Sequence, residues 1–189
     1  MASASKAGKL FIISGASGTG KTTLCRQLEK EFGIFFSISA TTRHKRPGEQ
    51  HGKDYFFLSR EEFEKQKASG QFLESALVHE NYYGTPKEPI ESRLHRGQDV
   101  LLDIDTQGAL QLKHEMPEAI SIFLKTPTLE ELERRLKNRA TDSEEAIAKR
   151  LKRAEDELKQ SGLYDYVVVN EDLKKAKEEL IKIIERSPK

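Results

Sequence analysis

Tryptophan is absent from this sequence and cysteine nearly so: Cys25 is the only one in 189 residues. One cysteine excludes an internal disulfide and a four-cysteine zinc site. Its place among helical apolar positions reads as a small buried side chain, not a reactive thiol. Neither sign of charge dominates: Lys+Arg 32 against Asp+Glu 31 gives a net charge of +1, so no global field draws the chain to nucleic acid or membrane. Basic clusters therefore have to be judged locally. No apolar run approaches the roughly 20 residues of a membrane span, and residues 1–8 are rich in small side chains without an apolar signal core. A frayed lead-in and a reducing, cytoplasmic setting are expected, with neither nucleic acid nor membrane as a partner. Repeats and low-complexity tracts are missing too. What is present is 36% hydrophobic and 33% charged residues, which suits one domain or a domain with insertions, a substantial core and a densely charged surface.

The most informative stretch is Gly15-Ala16-Ser17-Gly18-Thr19-Gly20-Lys21-Thr22, a full match to GxxxxGK[ST]. It follows the apolar run Leu10-Phe11-Ile12-Ile13 and opens into the helix-like Thr23-Leu24-Cys25-Arg26-Gln27-Leu28. Strand, glycine-rich turn and helix form the context of a phosphate-binding P-loop. The glycines let successive N–H groups face one concavity, and the helix start adds its positive dipole end. In such a loop Lys21 reaches the β- and γ-phosphates and the Thr22 hydroxyl ligates Mg²⁺. The motif announces a nucleoside triphosphate without saying what it is used for.

Residues 9–14 read as a buried strand, the next helix ends at Gly33, and 34–39 form a second strand. This alternation predicts a parallel α/β sheet with ligands at the C-terminal ends of its strands, near Ser39. The pattern then changes. A basic loop carries Arg43 and Arg46 and a Pro-Gly turn; 53–58 is strand-like; Ser59-Arg60-Glu61-Glu62 is a capping box for a helix stopped by Gly70. A strand at 71–78, a loop at 81–86 and a helix stopped by Gly97 follow. Residues 38–97 thus read as an antiparallel insertion. Beyond it come a strand at 99–105, a short helix through Lys113 and a strand at 119–124. A second capping box at Thr128-Leu129-Glu130-Glu131 opens an arginine-rich helix broken at 141–143. A helix at 144–160 and a strand at 166–170 lead to an amphipathic helix with Leu180, Ile181 and Ile184 toward the sheet.

Asp103 and Asp105 are two apart on a strand and share a face. Buried carboxylates at a strand end call for a cation, so Asp103 takes a Walker-B-like role, holding Mg²⁺ directly or through water. Asp105-Thr106-Gln107-Gly108 fits the DxxG of GTPases, yet no guanine-reading NKxD tetrapeptide follows. Arg43, Arg46, Arg135, Arg139 and Arg150 suit phosphoryl transfer, because the guanidinium fork binds two oxygens and keeps its charge. Glu74, among Phe72, Leu73, Ala76 and Leu77, either alternates toward solvent or faces a pocket. In a pocket it accepts from paired donors such as guanine N1–H and N2–H₂.

Taken together, GASGTGKTT, SATTRHKRPGE, GKDYFF, FLESA, NYYGT, LLDIDTQG, the arginine segment and VVVN resemble the guanylate kinase family over nearly the whole chain. The resemblance implies an ATP:GMP phosphotransferase acting on GMP and also dGMP, with Mg²⁺. ATP would be held by 15–22, Thr23 and Asn170. The GMP phosphate would be held by Arg43, Arg46, Tyr55 and Tyr83, with guanine read by Ser39, Glu74 and Thr85. Asp103 and Asp105 complete the GMP side, and Arg135, Arg139 and Arg150 close over the transferring group with Lys21 and Arg43. The implied fold is a P-loop three-layer core with a five-stranded parallel sheet (1–37, 98–125 and 159–189), a GMP-binding insertion (38–97) and a helical lid (126–158). A monomer or homodimer is expected. A non-catalytic phosphopeptide-binding scaffold and a kinase of other base specificity are the alternatives. Ala40 and Ala140 depart from the family's common polar residue and glycine; neither removes a reacting group.

Overall fold

The structure is a computed structural model and describes residues 7–78, 80–138 and 143–187. β1 (Leu10–Ser14) is wholly buried and central; α1 (Lys21–Phe32) follows the glycine loop and ends at Gly33, whose left-handed backbone closes the helix. β7 (Val100–Asp103), β8 (Ile120–Lys125), β9 (Tyr166–Val169) and the short β2 (Phe35–Phe36) complete a five-stranded sheet in the order β2-β7-β1-β8-β9. Every pairing in it is parallel. Side chains from the two faces alternate into separate clusters. Phe11 and Ile13 meet Leu24 and Leu28 of α1 and Leu180 and Ile183 of α7 (Leu173–Arg186). Leu10 and Ile12 meet Ile90 of α3 (Lys87–His95) and Ala109 and Leu112 of α4 (Thr106–Glu115). Helices on both faces of a parallel sheet make three layers.

The insertion has its own sheet, β4-β3-β6-β5, built from β3 (Ala40–Thr41), β4 (Phe56–Phe57), β5 (Phe72–Val78) and β6 (Asn81–Pro86). β3–β6 and β5–β6 are antiparallel, and β4 joins β3 in parallel. Ser59 caps α2 (Arg60–Ala68) with both halves of the capping box in place. Phe63 of α2 stacks between Phe72 and Tyr82, at 4.6 and 5.3 Å.

Three local expectations change. Residues 81–86 are a strand, because hairpin pairing to β5 supplies the backbone partners that Asn, Gly and Pro do not advertise. Strand character within 34–39 and 53–58 is confined to Phe35–Phe36 and Phe56–Phe57. In α7 it is Ala176, Leu180 and Ile183 that are buried, with Ile181 and Ile184 only flanking the core.

α5 (Leu129–Lys137) and α6 (Glu144–Lys159) pack together through Leu132, Leu136, Ile147 and Ala154, and this cluster includes Ala16 of the glycine loop. Thr128 caps α5 by accepting from the Glu131 amide, but the Glu131 carboxylate is taken by Arg134 and Arg135 instead of returning to the cap. Those two arginines hold its acid down at about 2. No helix among the described residues is long and apolar enough to cross a membrane.

Candidate active site

The loop after β1 holds its shape through a few short bonds. Thr19 Oγ1 donates to the Ala16 carbonyl at 2.9 Å, and Asn170 Nδ2, at the end of β9, donates to the Thr19 carbonyl at 2.7 Å. Asn170 is fully buried. Gly20 sits at φ 96°, and a Cβ there would lie 2.6 Å from Asn170 Nδ2, so this close approach needs glycine twice over. Lys21 Nζ donates to the carbonyls of Gly15 at 2.7 Å and Ala16 at 3.0 Å, and lies 4.0 Å from Asp103 Oδ1. Thr22 Oγ1 donates to Asp103 Oδ2 at 2.5 Å. A hydroxyl and a carboxylate in contact beside a phosphate nest form the oxygen-only donor set that Mg²⁺ favours. Among the described residues no cluster of three His, Cys, Asp or Glu could hold a metal ion.

The same cleft is lined on its other side by Ser39, Arg43, Arg46, Glu49, Asp54, Tyr55, Glu74, Tyr83 and Asp105. Glu74 is only 3% exposed and accepts from Thr85 Oγ1 at 2.5 Å. Burial pushes its acid up to about 7, helped by the Asp105 charge, while the Thr85 bond pulls the other way. Asp105 caps α4, accepting from the Gln107 amide at 2.8 Å and the Gly108 amide at 3.3 Å. A Cβ on Gly108 would fall 2.3 Å from Glu74 Oε2. Here DxxG is therefore a helix cap and a space for Glu74. Burial, with Asp103 adding to it, raises the Tyr55 hydroxyl above its usual range and keeps it a donor.

α6 contributes Arg150, Arg153 and Glu157 to the cleft. Arg153 Nε donates to Glu157 Oε1 at 2.8 Å, and Thr106 Oγ1 reaches the same oxygen at 3.5 Å. Of the residues expected at the site, Gly15, Ser17, Gly18, Gly20, Lys21, Thr22, Thr23, Ser39, Arg43, Arg46, Tyr55, Glu74, Tyr83, Asp103, Asp105 and Arg150 share this one cleft. Ala16, Thr19, Thr85 and Asn170 are buried behind its wall. Arg135 stands outside it, donating to Glu131 at 2.7 Å and to the Asn170 carbonyl at 2.9 Å. Arg139 lies outside the described residues. The sequence reading missed Glu49, Asp54, Arg153 and Glu157; for Arg153 and Glu157 the i,i+4 spacing was the available signal.

Fold and loop define a P-loop phosphate-binding protein with a second, insertion-built wall facing the nest. The family model for guanylate kinase matches residues 7–187. A guanylate kinase from Fusobacterium nucleatum is 51% identical over 96% of this chain and 98% of its own length. One from Caldanaerobacter subterraneus is 51% identical over 95% of this chain and 87% of its own. A crystal structure of guanylate kinase from Anaplasma phagocytophilum superposes with a TM-score of 0.83 at 35% identity, covering 97% of this chain and 88% of that one. The chain belongs to the guanylate kinase family.

Proposed function

We propose that this cleft transfers the γ-phosphoryl group of ATP to GMP or dGMP, giving ADP and GDP or dGDP. One observation carries the reading: a P-loop nest and a buried carboxylate–hydroxyl pair, Glu74 and Thr85, belong to the two walls of one cleft. Ionised Glu74 accepts from guanine N1–H and N2–H₂, with Ser39 beside it. Adenine presents an acceptor at N1 and would leave the carboxylate repelled and unpaired. Sites of this polar kind discriminate by about 10⁴–10⁵.

The donor phosphates lie on the 15–20 amides, and Lys21 exchanges the Gly15 and Ala16 carbonyls for their oxygens. Arg43, Arg46, Tyr55 and Tyr83 hold the acceptor phosphate. Its oxygen attacks the γ-phosphorus in line, and no general base is needed, since a phosphate monoester's second pKa is about 6. Arg150, with Arg139 before it in the chain, spreads charge off the transferring group, and Arg153 lines the same cleft. Thr22 and Asp103 would hold Mg²⁺, which when bound would neutralise phosphate charge. Asn170 and Arg135 act by bracing the nest and the β9–α7 junction. The working parts are a core (1–37, 98–125, 159–189), an acceptor insertion (38–97) and a lid (126–158); the separate aromatic and α5–α6 clusters support that division.

A panel of nucleoside monophosphates with ATP and Mg²⁺ tests the reading. GMP and dGMP should be phosphorylated and AMP, CMP and UMP left, with Lys21→Ala losing turnover by a factor of at least about 10². Turnover of another base in place of guanine would overturn the assignment.

A further inference from the structure

An anion-binding wall is an odd place for a carboxylate, yet Glu49 stands in it with a fifth of its side chain exposed. Its contacts explain why. Arg43 Nη1 donates to Glu49 Oε2 at 3.0 Å and Nη2 to Oε1 at 2.8 Å, a fork-to-fork pair. The second Nη1 hydrogen goes to the His44 carbonyl at 2.7 Å. A guanidinium has five N–H donors. Three are therefore assigned, and the other two, Nε–H and the second Nη2–H, lie along one edge. The Tyr55 and Phe57 rings lie under the guanidinium, 5.4 and 5.7 Å from its carbon, and the Tyr83 hydroxyl is a further hydrogen-bond partner of it, one that an incoming phosphate would share. Glu49 also accepts from the Arg46 amide at 2.7 Å, while its own amide donates to the Arg46 carbonyl at 3.1 Å. One carboxylate thus holds the Arg43 fork and closes the 46–49 turn at the Arg46 backbone amide.

We propose that Glu49 is a positioning residue for the acceptor phosphate: it holds the end of the Arg43 fork so that the Nε–Nη2 edge faces the incoming phosphate as a bidentate donor pair. The proposal rests on the acceptor assignment above. Burial works against the Glu49 charge, but the bonds from Arg43 and the Arg46 amide outweigh it and hold the acid below its usual range, so the pair persists at neutral pH. The opposite role, a resident anion that competes with the phosphate, makes a prediction of opposite sign.

Steady-state kinetics with GMP and ATP varied independently separate the two. Glu49→Gln should raise KM for GMP by about ten- to hundredfold, the size of losing charge-assisted bonds, with kcat changed less and KM for ATP unmoved. Arg43→Lys has no fork to hold, so adding Glu49→Gln to it should cost little more, a non-additivity that a merely structural role would not produce. An unchanged or lowered KM for GMP in Glu49→Gln, or additive losses in the double variant, would overturn the proposal. Should Glu49→Gln fail to fold by thermal melting, Glu49→Asp carries the same test, since it keeps the charge but cannot span both contacts. Failure of wild type to phosphorylate GMP would instead remove the acceptor assignment itself.

Discussion

On the proposed function, Glu74 carries the reading of guanine in one side chain. Its acid is raised by burial to about 7 from an ordinary value of 4.5, so the folded protein binds this proton more tightly than the unfolded chain does. The sign follows: this group adds stability as pH falls from about 7 toward 4.5 and withdraws it as pH rises through 7. The proposed guanine recognition would run the other way, because only the carboxylate accepts from two ring donors. We expect kcat/KM for GMP to fall as pH drops below about 7, and Glu74→Gln to lose that inflection while keeping the one near 6 that belongs to the substrate phosphate. In the same variant kcat/KM for GMP should fall by about 10² or more, from the charged hydrogen bonds lost. A pH profile of Glu74→Gln superimposable on wild type would place the recognising group elsewhere. Gly108→Ala tests the same contact from behind. Its Cβ would meet Glu74 Oε2 at 2.3 Å, so the carboxylate must move, and a misplacement on the order of 1 Å costs about 10² in rate. KM for ATP should be untouched. The sequence showed the carboxylate but not its burial; alternation along 71–78 left solvent and pocket equally open, and only the α4 packing closes the question.

At the scale of elements, the parallel core was legible because its signals are local: an apolar run, a glycine stop, a capping serine. Ser59 is the plainest case, with Ser59 Oγ accepting from the Glu62 amide at 3.1 Å and Glu62 returning to the Ser59 amide at 2.7 Å. Ser59→Ala should destabilise the protein by about 1 kcal/mol, read by urea unfolding, without changing KM for ATP. What was not legible depends on partners distant in sequence. β6 looks like a loop because Gly84 and Pro86 disfavour strands, yet a Cβ on Gly84 would press within 3.1 Å of Phe63 and Phe72. Glycine lets α2 dock closely here, since a Cβ would force those rings to give by a few tenths of an ångström. Asn170 likewise resembles a ligand residue in sequence, and the fold gives its Nδ2 a further role, donating to the Thr19 carbonyl 151 residues away. Asn170→Ala removes a buried bond and leaves the Thr19 carbonyl without that donor. A loss of about 1–3 kcal/mol should accompany a raised KM for ATP, since the nest it braces would loosen. A variant equally destabilised but with KM for ATP unchanged would show that the brace serves stability alone.

The whole molecule is organised so that three stretches distant in sequence share one cleft. Arg26 of α1 ties core to insertion, donating to the Lys53 carbonyl at 2.8 Å and to Asp54 at 3.0 Å. Thr106 reaches Glu157 across to α6, and Ala16 sits within the α5–α6 cluster. Ligands bound at the two ends should therefore stabilise the chain through different walls. At a concentration of about 100 times its Kd, a ligand adds about 2.7 kcal/mol, which for a chain of this size raises Tm by roughly 5–10 °C. ATP alone and GMP alone should each produce a rise of that order. Glu74→Gln should abolish the GMP rise and leave the ATP rise, and Lys21→Ala should do the reverse. The comparison needs no turnover, so it separates binding from catalysis and makes the two-walled cleft answerable by melting curves. If either variant removed both rises together, the two ends could not be independent sites, and the assignment of one wall to donor and the other to acceptor would fall with them.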